Sequence, residues 1–278
     1  MVTPAGRRSA AAYICKTHAI SQRRACRLLG IHRSSVRYRS RSQTDGALKD
    51  RLLALANERR RFGYRRLHLL LQREFASLNH KRVYRLYQDA QLAVRPRHRK
   101  RVAVARASTP VLGGPGSLWV MDFVEDSLAN GRRFRTLNVL DVCTRECLAI
   151  EVDTSLTAER VTRVLDRLAD ARGLPKALRL DNGPEFAGHV LSTWAVKHDV
   201  SLHFITPGRP TENAYIESFN GKFRDECLNQ HWFTNLAEAR STIDLWRHDY
   251  NGVRPHSALG NLAPAVFALT LDPTAIPS

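Results

Sequence analysis

Residues 118–205 show a succession of apolar runs and amphipathic segments that constrains the fold more than any other feature of the chain. Three apolar runs come first, and Asn130-Gly131, a strong β-turn pair, separates the first two. The predicted elements are strands at 118–123, 134–142 and 147–152, a helix at 157–171, a strand at 177–180, a helix at 185–198 and a strand at 202–205. Helical patterns dominate again from 213 to 250. This order predicts an α/β fold with a mixed sheet and flanking helices.

The residues before this region have a helical pattern instead. Ser21 is a suitable N-cap for a short helix, Gly30 permits a turn, Ile31 can fill the core, and residues 33–39 form a basic second helix. The expected buried face of the first helix consists of Ala25, Leu28 and Leu29. Residues 21–39 are therefore typical of a helix-turn-helix, although a plain helical hairpin explains them equally well.

A second pair of helices is predicted between residues 64 and 90. Asn79 is a suitable N-cap for the later helix of the pair. The apolar positions that follow the helical period are Leu67, Leu70, Leu71 and Phe75 in the first helix, and Val83, Leu86, Tyr87 and Ala90 in the second. Lys81, Arg82 and Arg85 project from the remaining surface of the second helix.

Charge divides the chain at the same place as the helical and strand patterns. Residues 1–117 carry a net charge of +22 and residues 118–278 a net charge of −4. Residues 102–117 are rich in small residues, proline and glycine and form the predicted linker, after the basic run RPRHRKR at 95–101. A polyanion-binding module attached to a second domain explains this asymmetry, and DNA or RNA is the usual partner. A merely solvated basic surface is the alternative.

Several classes of protein are disfavoured by what the sequence lacks. It has no apolar stretch of membrane-spanning length and no secretory signal, so a cytoplasmic protein without a membrane partner is expected. The five cysteines are odd in number and form no CxxC pair, so reduced thiols are expected. No Walker-type phosphate loop and no GxSxG nucleophile sequence occurs.

Three acidic residues stand at positions from which their side chains can converge. Asp122 lies inside the apolar run WVMDFV, where an uncompensated charge is costly. Asp181 follows the strand ALRL, and Glu217 lies in the helical stretch NAYIESFNGKFRDE. Each has an ordinary explanation alone: an ion-paired acid, an Asp-Asn-Gly turn and a solvated helix residue. The combination is more specific, with 58 residues between the first two acids and 35 between the second and third.

With this spacing the chain resembles the DDE transposases and retroviral integrases, and in particular the second-reading-frame (OrfB) transposases of bacterial insertion sequences of the IS3 family. The supporting segments are WVMDFVED, GRRFRTLNVLD, DNGPEF, PGRPTENAYIESFNGKFRDECLN, WRHDYNGVRPHSALG, FGYRRL and NHKRVYRLY. The resemblance implies a basic helical DNA-binding region at 1–101, the linker at 102–117, a ribonuclease-H-like catalytic core at 118–230 and a C-terminal helical extension at 231–278.

The resemblance also implies the chemistry. Asp122, Asp181 and Glu217 would bind two Mg²⁺ ions, with Mn²⁺ able to replace them, because Mg²⁺ prefers carboxylate oxygens and two ions can serve both the attacking and the leaving oxygen. Water then frees a 3′ hydroxyl at the element end, and that hydroxyl attacks target DNA. The residues expected to contact DNA are Arg33, Arg37, Arg65, Arg66, Lys81, Arg82, Arg85, Asn220 and Arg224.

Other properties follow from the resemblance or depart from it. A homo-oligomer on DNA is expected, as is an upstream-frame protein joined to this chain by a frameshift. Val142 and Cys143 stand where the family usually has an acidic or polar residue after Asp141. The His-His-Cys-Cys zinc module of retroviral integrases has no counterpart. Two alternatives remain: a noncatalytic DNA-binding regulator, and a ribonuclease-H-like nuclease that cuts without joining.

Overall fold

The computed structural model describes residues 3–37, 45–94, 113–183, 186, 188–206 and 213–271. The chain forms two compact units, Met1–Leu53 and Ala54–Ser278, and each is described by itself. The basic run at 95–101 and most of the predicted linker at 102–117 lie outside the described residues.

Three helices form the first unit before α4 begins: α1 (Pro4–His18), α2 (Gln22–Leu28) and α3 (Arg33–Arg37). Helix α1 packs against both others. The Ser21 side chain accepts a hydrogen bond of 3.3 Å from the backbone N–H of Arg24, so the predicted N-cap is confirmed. The turn at Gly30 has φ +60°, which glycine adopts without strain. The last two residues of the predicted second helix, 38 and 39, lie outside the described residues.

The predicted buried face of α2 is wrong at one position. Leu28 is 67% exposed, whereas Ala25 and Cys26 are buried and Leu29 is half-buried. The buried stripe therefore follows positions 25, 26 and 29, and Leu28 lies outside it because it is rotated about 100° from Leu29.

Three further helices precede the sheet: α4 (Gly46–Glu58), α5 (Tyr64–Leu71) and α6 (His80–Asp89). The Asn79 side chain accepts a hydrogen bond of 2.8 Å from the backbone N–H of Lys81, which confirms the predicted start of α6. Six of the eight predicted core positions of the α5–α6 pair are buried: Leu67, Leu70, Leu71, Val83, Leu86 and Tyr87. Phe75 and Ala90 are only half-buried, because α5 ends at Leu71 and α6 ends at Asp89, before these residues.

The sheet contains five strands, at 118–127, 133–141, 147–153, 177–180 and 201–204: β1 (Leu118–Ser127), β2 (Arg133–Asp141), β3 (Cys147–Asp153), β4 (Ala177–Leu180) and β5 (Ser201–Phe204). Their order across the sheet is β3-β2-β1-β4-β5. The first three strands pair antiparallel, and β1–β4 and β4–β5 pair parallel. The predicted mixed sheet is confirmed, and β1 is longer than predicted because it continues through Ser127.

Helices cover both faces of this sheet. They are α7 (Ala158–Arg172), α8 (His189–Lys197), α9 (Ala214–Glu226) and α10 (Leu236–Gly252), and α11 (Pro264–Leu271) packs against α10. Side chains of α7 and α8 share a core with Trp119 and Met121 of β1. Side chains of α9 and α10 share the opposite core with Val120 and Val124. Because side chains alternate along a strand, Asp122 belongs to the α9 face of the sheet.

No helix within the part of the chain that the structure describes is long and apolar enough to span a membrane.

Candidate active site

Asp122 lies in the central strand and is held by one amide side chain and one backbone N–H. Its Oδ2 accepts a hydrogen bond of 2.7 Å from the side-chain amide of Asn220 on α9. The Asn220 amide oxygen in turn accepts a bond of 2.7 Å from the side chain of Asn138, which is directly opposite Asp122 in β2. Asp122 Oδ1 accepts the backbone N–H of Phe123 at 2.8 Å. The direction of this carboxylate is therefore fixed by neighbouring groups.

Asp181 follows the carboxyl end of β4, the parallel neighbour of β1. Its Oδ1 accepts a hydrogen bond of 3.0 Å from the backbone N–H of Gly183, as in an Asx turn. After this turn Phe186 is fully buried, and its ring stacks on Phe123 with 4.8 Å between centroids. Residues 184 and 185 of the DNGPEF segment lie outside the described residues. The stack holds the segment after Asp181 against β1.

Glu217 lies in the first turn of α9, and its side chain is exposed. The rotation of this helix is set by Ile216, Phe219 and Phe223, which are buried in the core under the sheet, with Tyr215 packed beside them. This packing leaves Glu217, Asn220 and Arg224 on one face, at the i, i+3 and i+7 positions of the helix.

The three predicted acids share one electrostatic environment. The pKa of Asp122 is raised to about 6, chiefly because burial penalises its charge. The hydrogen bond from Phe123 opposes this rise, the negative charges of Asp181 and Glu217 add to it, and the hydrogen bond from Asn220 opposes it. Strands β1 and β4 and helix α9 therefore bring the three carboxylates close enough to raise the free energy of ionising Asp122.

Comparisons with known proteins show the family of this chain. Integrase core domain models match residues 113–210 and 198–264, and an HTH-like domain model matches residues 43–101. A protein of insertion element IS407 from Burkholderia multivorans is 54% identical over 251 residues, which cover 90% of this chain and 91% of its own length. The chain belongs to the IS3 family of insertion-sequence transposases.

Two other relatives extend this finding. A protein of insertion element IS476 from Xanthomonas euvesicatoria is 49% identical over 269 residues, or 96% of this chain and 78% of its own length. The Escherichia coli protein described as a putative transposase for IS150 is 26% identical over 233 residues, or 79% of this chain and 82% of its own length.

Among solved structures, a chain of the simian T-cell lymphotropic virus intasome matches with a TM-score of 0.51 and 14% identity, over 82% of this chain and 77% of that chain. This likeness concerns the fold alone. Together with the five-stranded mixed sheet and the helical region before it, the likeness confirms the predicted ribonuclease-H-like, integrase-type architecture.

The acids of this IS3-family chain have the right chemistry for a divalent cation but are not drawn together around one point. Among the residues that the structure describes, no three His, Cys, Asp or Glu side chains are grouped closely enough to hold one ion. Burial is the main cause of the raised pKa of Asp122, and repulsion by the other two carboxylates adds to it. Hard oxygen ligands on a partly buried, mutually repelling set fit Mg²⁺ or Mn²⁺, whose charge would relieve the repulsion.

The residues predicted to contact DNA have different surroundings. Arg33 and Arg37 are exposed on α3, and Arg65, Lys81 and Arg85 are exposed on α5 and α6. Arg82 is half-buried on α6. Arg66 instead donates a hydrogen bond of 3.3 Å to Glu226, which engages much of its charge inside the protein. Arg224 donates at 2.7 Å to the backbone carbonyl of Glu125 at the end of the sheet where Asp122 lies.

Two further features were missed at the sequence level. The first is the hydrogen bond from Asn138 to Asn220, which no sequence pattern predicts because the two residues lie in different elements. Arg254, 1% exposed, donates two hydrogen bonds of 2.6 Å to Glu226. Arg254 lies in the segment WRHDYNGVRPHSALG, one of those that carry the family resemblance, but nothing in that segment names Glu226 as its partner.

Proposed function

We propose that this chain is an active transposase that cuts the ends of its insertion element to free 3′ hydroxyls and joins those ends to target DNA. The observation that carries the proposal is the shared environment of Asp122, Asp181 and Glu217, built by β1, β4 and α9 in a member of a transposase family. Residues 118–230 would form the catalytic core, and the basic helices before residue 101 would bind DNA.

In this proposal Asp122, Asp181 and Glu217 hold two divalent cations. When bound, such ions activate the attacking oxygen and neutralise charge on the leaving oxygen of a phosphodiester. The chain's own residues prepare that arrangement. Asn220 keeps Asp122 in one orientation through its bond of 2.7 Å. The ring stack of Phe123 on Phe186 keeps the segment after Asp181 in place. Preorganised ligands reduce the reorganisation that accompanies reaction.

Positively charged side chains near these acids, together with the basic helices, would position the DNA. Arg224 shares the helix face of Glu217, so it is suited to bind the strand that enters the site. Both ends of the Asn220 amide are already engaged inside the protein, so we assign Asn220 to positioning Asp122 in place of a direct contact with DNA. Assembly of several copies on DNA, and fusion to an upstream-frame protein, belong to the same proposal.

The test measures cleavage and joining separately in the presence of Mg²⁺. The substrates are a duplex carrying the terminal repeat that flanks the gene, and the same duplex already cut to expose the 3′ hydroxyl. Asp122→Asn and Asp181→Asn should abolish both reactions and leave DNA binding nearly unchanged. Asp170→Asn, at an exposed acid on α7, is the matched control and should behave as wild type.

Each other result has a definite meaning. Near wild-type cleavage by Asp122→Asn would overturn the assignment of the acids. A wild-type protein that cuts intact ends but never joins precut ends would be a nuclease. Binding without either reaction would make the chain a DNA-binding regulator.

A further inference from the structure

A cavity of about 710 Å³ lies beside α9, and the proposed catalytic chemistry uses only its edge. Its polar lining comes from the turn after β2, from α9 and from the segment after α10: Arg145, Tyr215, Glu217, Ser218, Lys222 and His256. Tyr215, Ser218 and Lys222 follow the i, i+3 and i+7 rule and share one face of α9. That face is distinct from the one that presents Asn220 and Arg224, so Glu217 borders two surfaces of the same helix.

Arg145 brings to this cavity a hydrogen-bond donor that has no partner among the described residues. Its backbone has φ +63°, a left-handed conformation that costs energy for any residue with a side chain. Its guanidinium carbon lies 3.6 Å from the centroid of the Tyr215 ring. Its Nη1 atom is buried and has no hydrogen-bond partner among the residues that the structure describes. A buried donor without an acceptor is costly unless a ligand supplies the acceptor.

Lys222 is the second cation of the cavity. Its ammonium group donates a long hydrogen bond of 3.3 Å to the Ser218 hydroxyl. The pKa of Lys222 is lowered to about 8, first because it is buried and then because Arg254, Arg66 and Arg145 add positive potential that Glu226 offsets only in part. An anion at this point would be stabilised by several positive groups together.

The neighbouring acids do not neutralise these cations. Glu226 accepts two hydrogen bonds of 2.6 Å from Arg254 and one of 3.3 Å from Arg66, so its charge is shared by two arginines already. Of the described residues that line the cavity, Glu217 is the one acid. The cavity is therefore a positively charged recess that begins at a proposed metal-binding carboxylate.

We propose that this recess binds one backbone phosphate of the DNA strand on which the acids act, with Arg145 and Lys222 as its charged contacts. The inference rests on the proposed function, since Glu217 links the recess to the catalytic acids. Arginine supplies a fork of N–H donors that matches phosphate oxygens, and lysine adds a compact charge. The volume is sufficient for a phosphodiester with its sugars. The bound phosphate would hold the strand on the flank of α9 opposite Arg224, so that the strand crosses Glu217.

The first experiment measures the salt dependence of DNA binding by the full chain. The proteins are the wild type, Arg145→Gln, Lys222→Gln, the double variant and Arg145→Lys, all carrying Asp122→Asn so that the DNA stays intact. Lys197→Gln, at an exposed lysine at the end of α8, is the matched control. The probe is the duplex with the terminal repeat. Losing one phosphate contact should lower the slope of log K against log salt by about 0.7–0.9 and weaken binding roughly tenfold or more.

Arg145→Lys should keep most of the slope, because it keeps the charge, and Lys197→Gln should keep all of it. Thermal unfolding of each variant shows whether it is folded. If folded Arg145→Gln and Lys222→Gln both bind with the wild-type slope, the recess does not hold a DNA phosphate. Altered self-association with unchanged DNA binding would assign the recess to a carboxylate of a second copy and would also overturn the proposal.

The second experiment identifies the phosphate. Neutral methylphosphonate groups are placed one at a time along the strand near the terminal cut. When Arg145 and Lys222 are intact, a methylphosphonate at one position should weaken binding about tenfold. The double variant should be insensitive to the methylphosphonate at that position. If the affinity loss from the double variant and the loss from the methylphosphonate are fully additive at every position, the contact is refuted. This readout is binding alone, so it can hold even if cleavage is never observed, and it can fail even if the protein cuts and joins DNA.

Discussion

Asn220 on α9 and Asp122 on β1 are joined by a hydrogen bond of 2.7 Å, although 97 residues separate them in the chain. The same Asn220 amide accepts a second bond from Asn138 on β2. This relay connects a helix to two strands beside Asp122. The rotation of α9 is therefore fixed both by these polar contacts and by the buried rings of Phe219 and Phe223.

The first prediction concerns Asn220→Ala. Without the amide, Asp122 loses a donor and Asn138 loses its acceptor, so the orientation of the carboxylate is no longer fixed. Catalytic activity in Mg²⁺ should fall by about 10–100-fold, the usual cost of removing a partner of a metal ligand, and DNA affinity should change little. Asn229→Ala, at an exposed asparagine just beyond α9, is the control. Activity of Asn220→Ala within twofold of the wild type would refute the positioning role.

The second prediction separates Glu217 from Arg224, which share a helix face. Glu217→Gln should eliminate turnover at every DNA concentration and leave binding nearly intact, because it removes a proposed metal ligand. Arg224→Ala should weaken engagement of the element end and retain some cleavage when DNA is abundant, because it removes a cation next to the strand. Cleavage rates measured against DNA concentration for both variants decide the matter. An active Glu217→Gln, or an Arg224→Ala indistinguishable from wild type, would show that this face does not serve the site.

Much of the fold was predictable because periodicity is local. The short apolar runs predicted all five strands to within a few residues, and the caps at Ser21 and Asn79 predicted two helix starts. Helix α1 was missed because its sequence, PAGRRSAAAYICKTH, carries no clear apolar period. It forms instead from a Thr3 cap, proline at its first position and alanine propensity.

The candidate site was predictable only in part. Spacing selected three acids, but it could not pair Asn138 with Asn220, since that contact depends on how a helix is rotated over a sheet. Arg254 has the character of a surface residue in the sequence, yet it is 1% exposed. A charged residue can be buried only next to its partner, and Glu226, 28 positions away, is a partner that only the folded chain reveals.

The third prediction tests that buried pair. Glu226→Gln removes the charge that compensates Arg254 and leaves a buried guanidinium beside Lys222 and Arg66 without its carboxylate. The free energy of unfolding should fall by about 3–5 kcal/mol, the range for breaking a buried ion pair by removing one partner. Asp170→Asn is the control, since Asp170 is exposed on α7. A loss below about 1 kcal/mol in urea unfolding would mean that the pair contributes little to stability.

The fourth prediction concerns His256, a buried histidine next to the same pair. Its pKa is lowered to about 3, first because it is buried and then because Arg254, Lys222 and Arg66 repel a proton; a hydrogen bond that the ring donates to the backbone of Tyr250 opposes the shift. The Arg254 guanidinium lies 3.4 Å from its Nε2, and this nitrogen can accept a hydrogen bond from Arg254 when the ring is neutral. His256 should therefore stay neutral in the folded chain well below pH 6.5.

This neutrality makes stability depend on pH in a defined direction. Between pH 6.5 and about 3 the unfolded chain binds a proton at His256 that the folded chain does not bind, so stability falls as pH falls through this window. Relative to pH 7, the loss from this residue at pH 4.5 should be about 2–3 kcal/mol.

His256→Gln removes the titration, so its unfolding free energy relative to wild type should improve by that amount over the same range. All four tryptophans lie within residues 54–278, and their fluorescence during urea unfolding therefore reports on the unit that contains His256. His203→Gln, at an exposed histidine on β5, is the matched control. If the difference between His256→Gln and wild type is the same at pH 7 and pH 4.5, His256 is not held neutral by the fold.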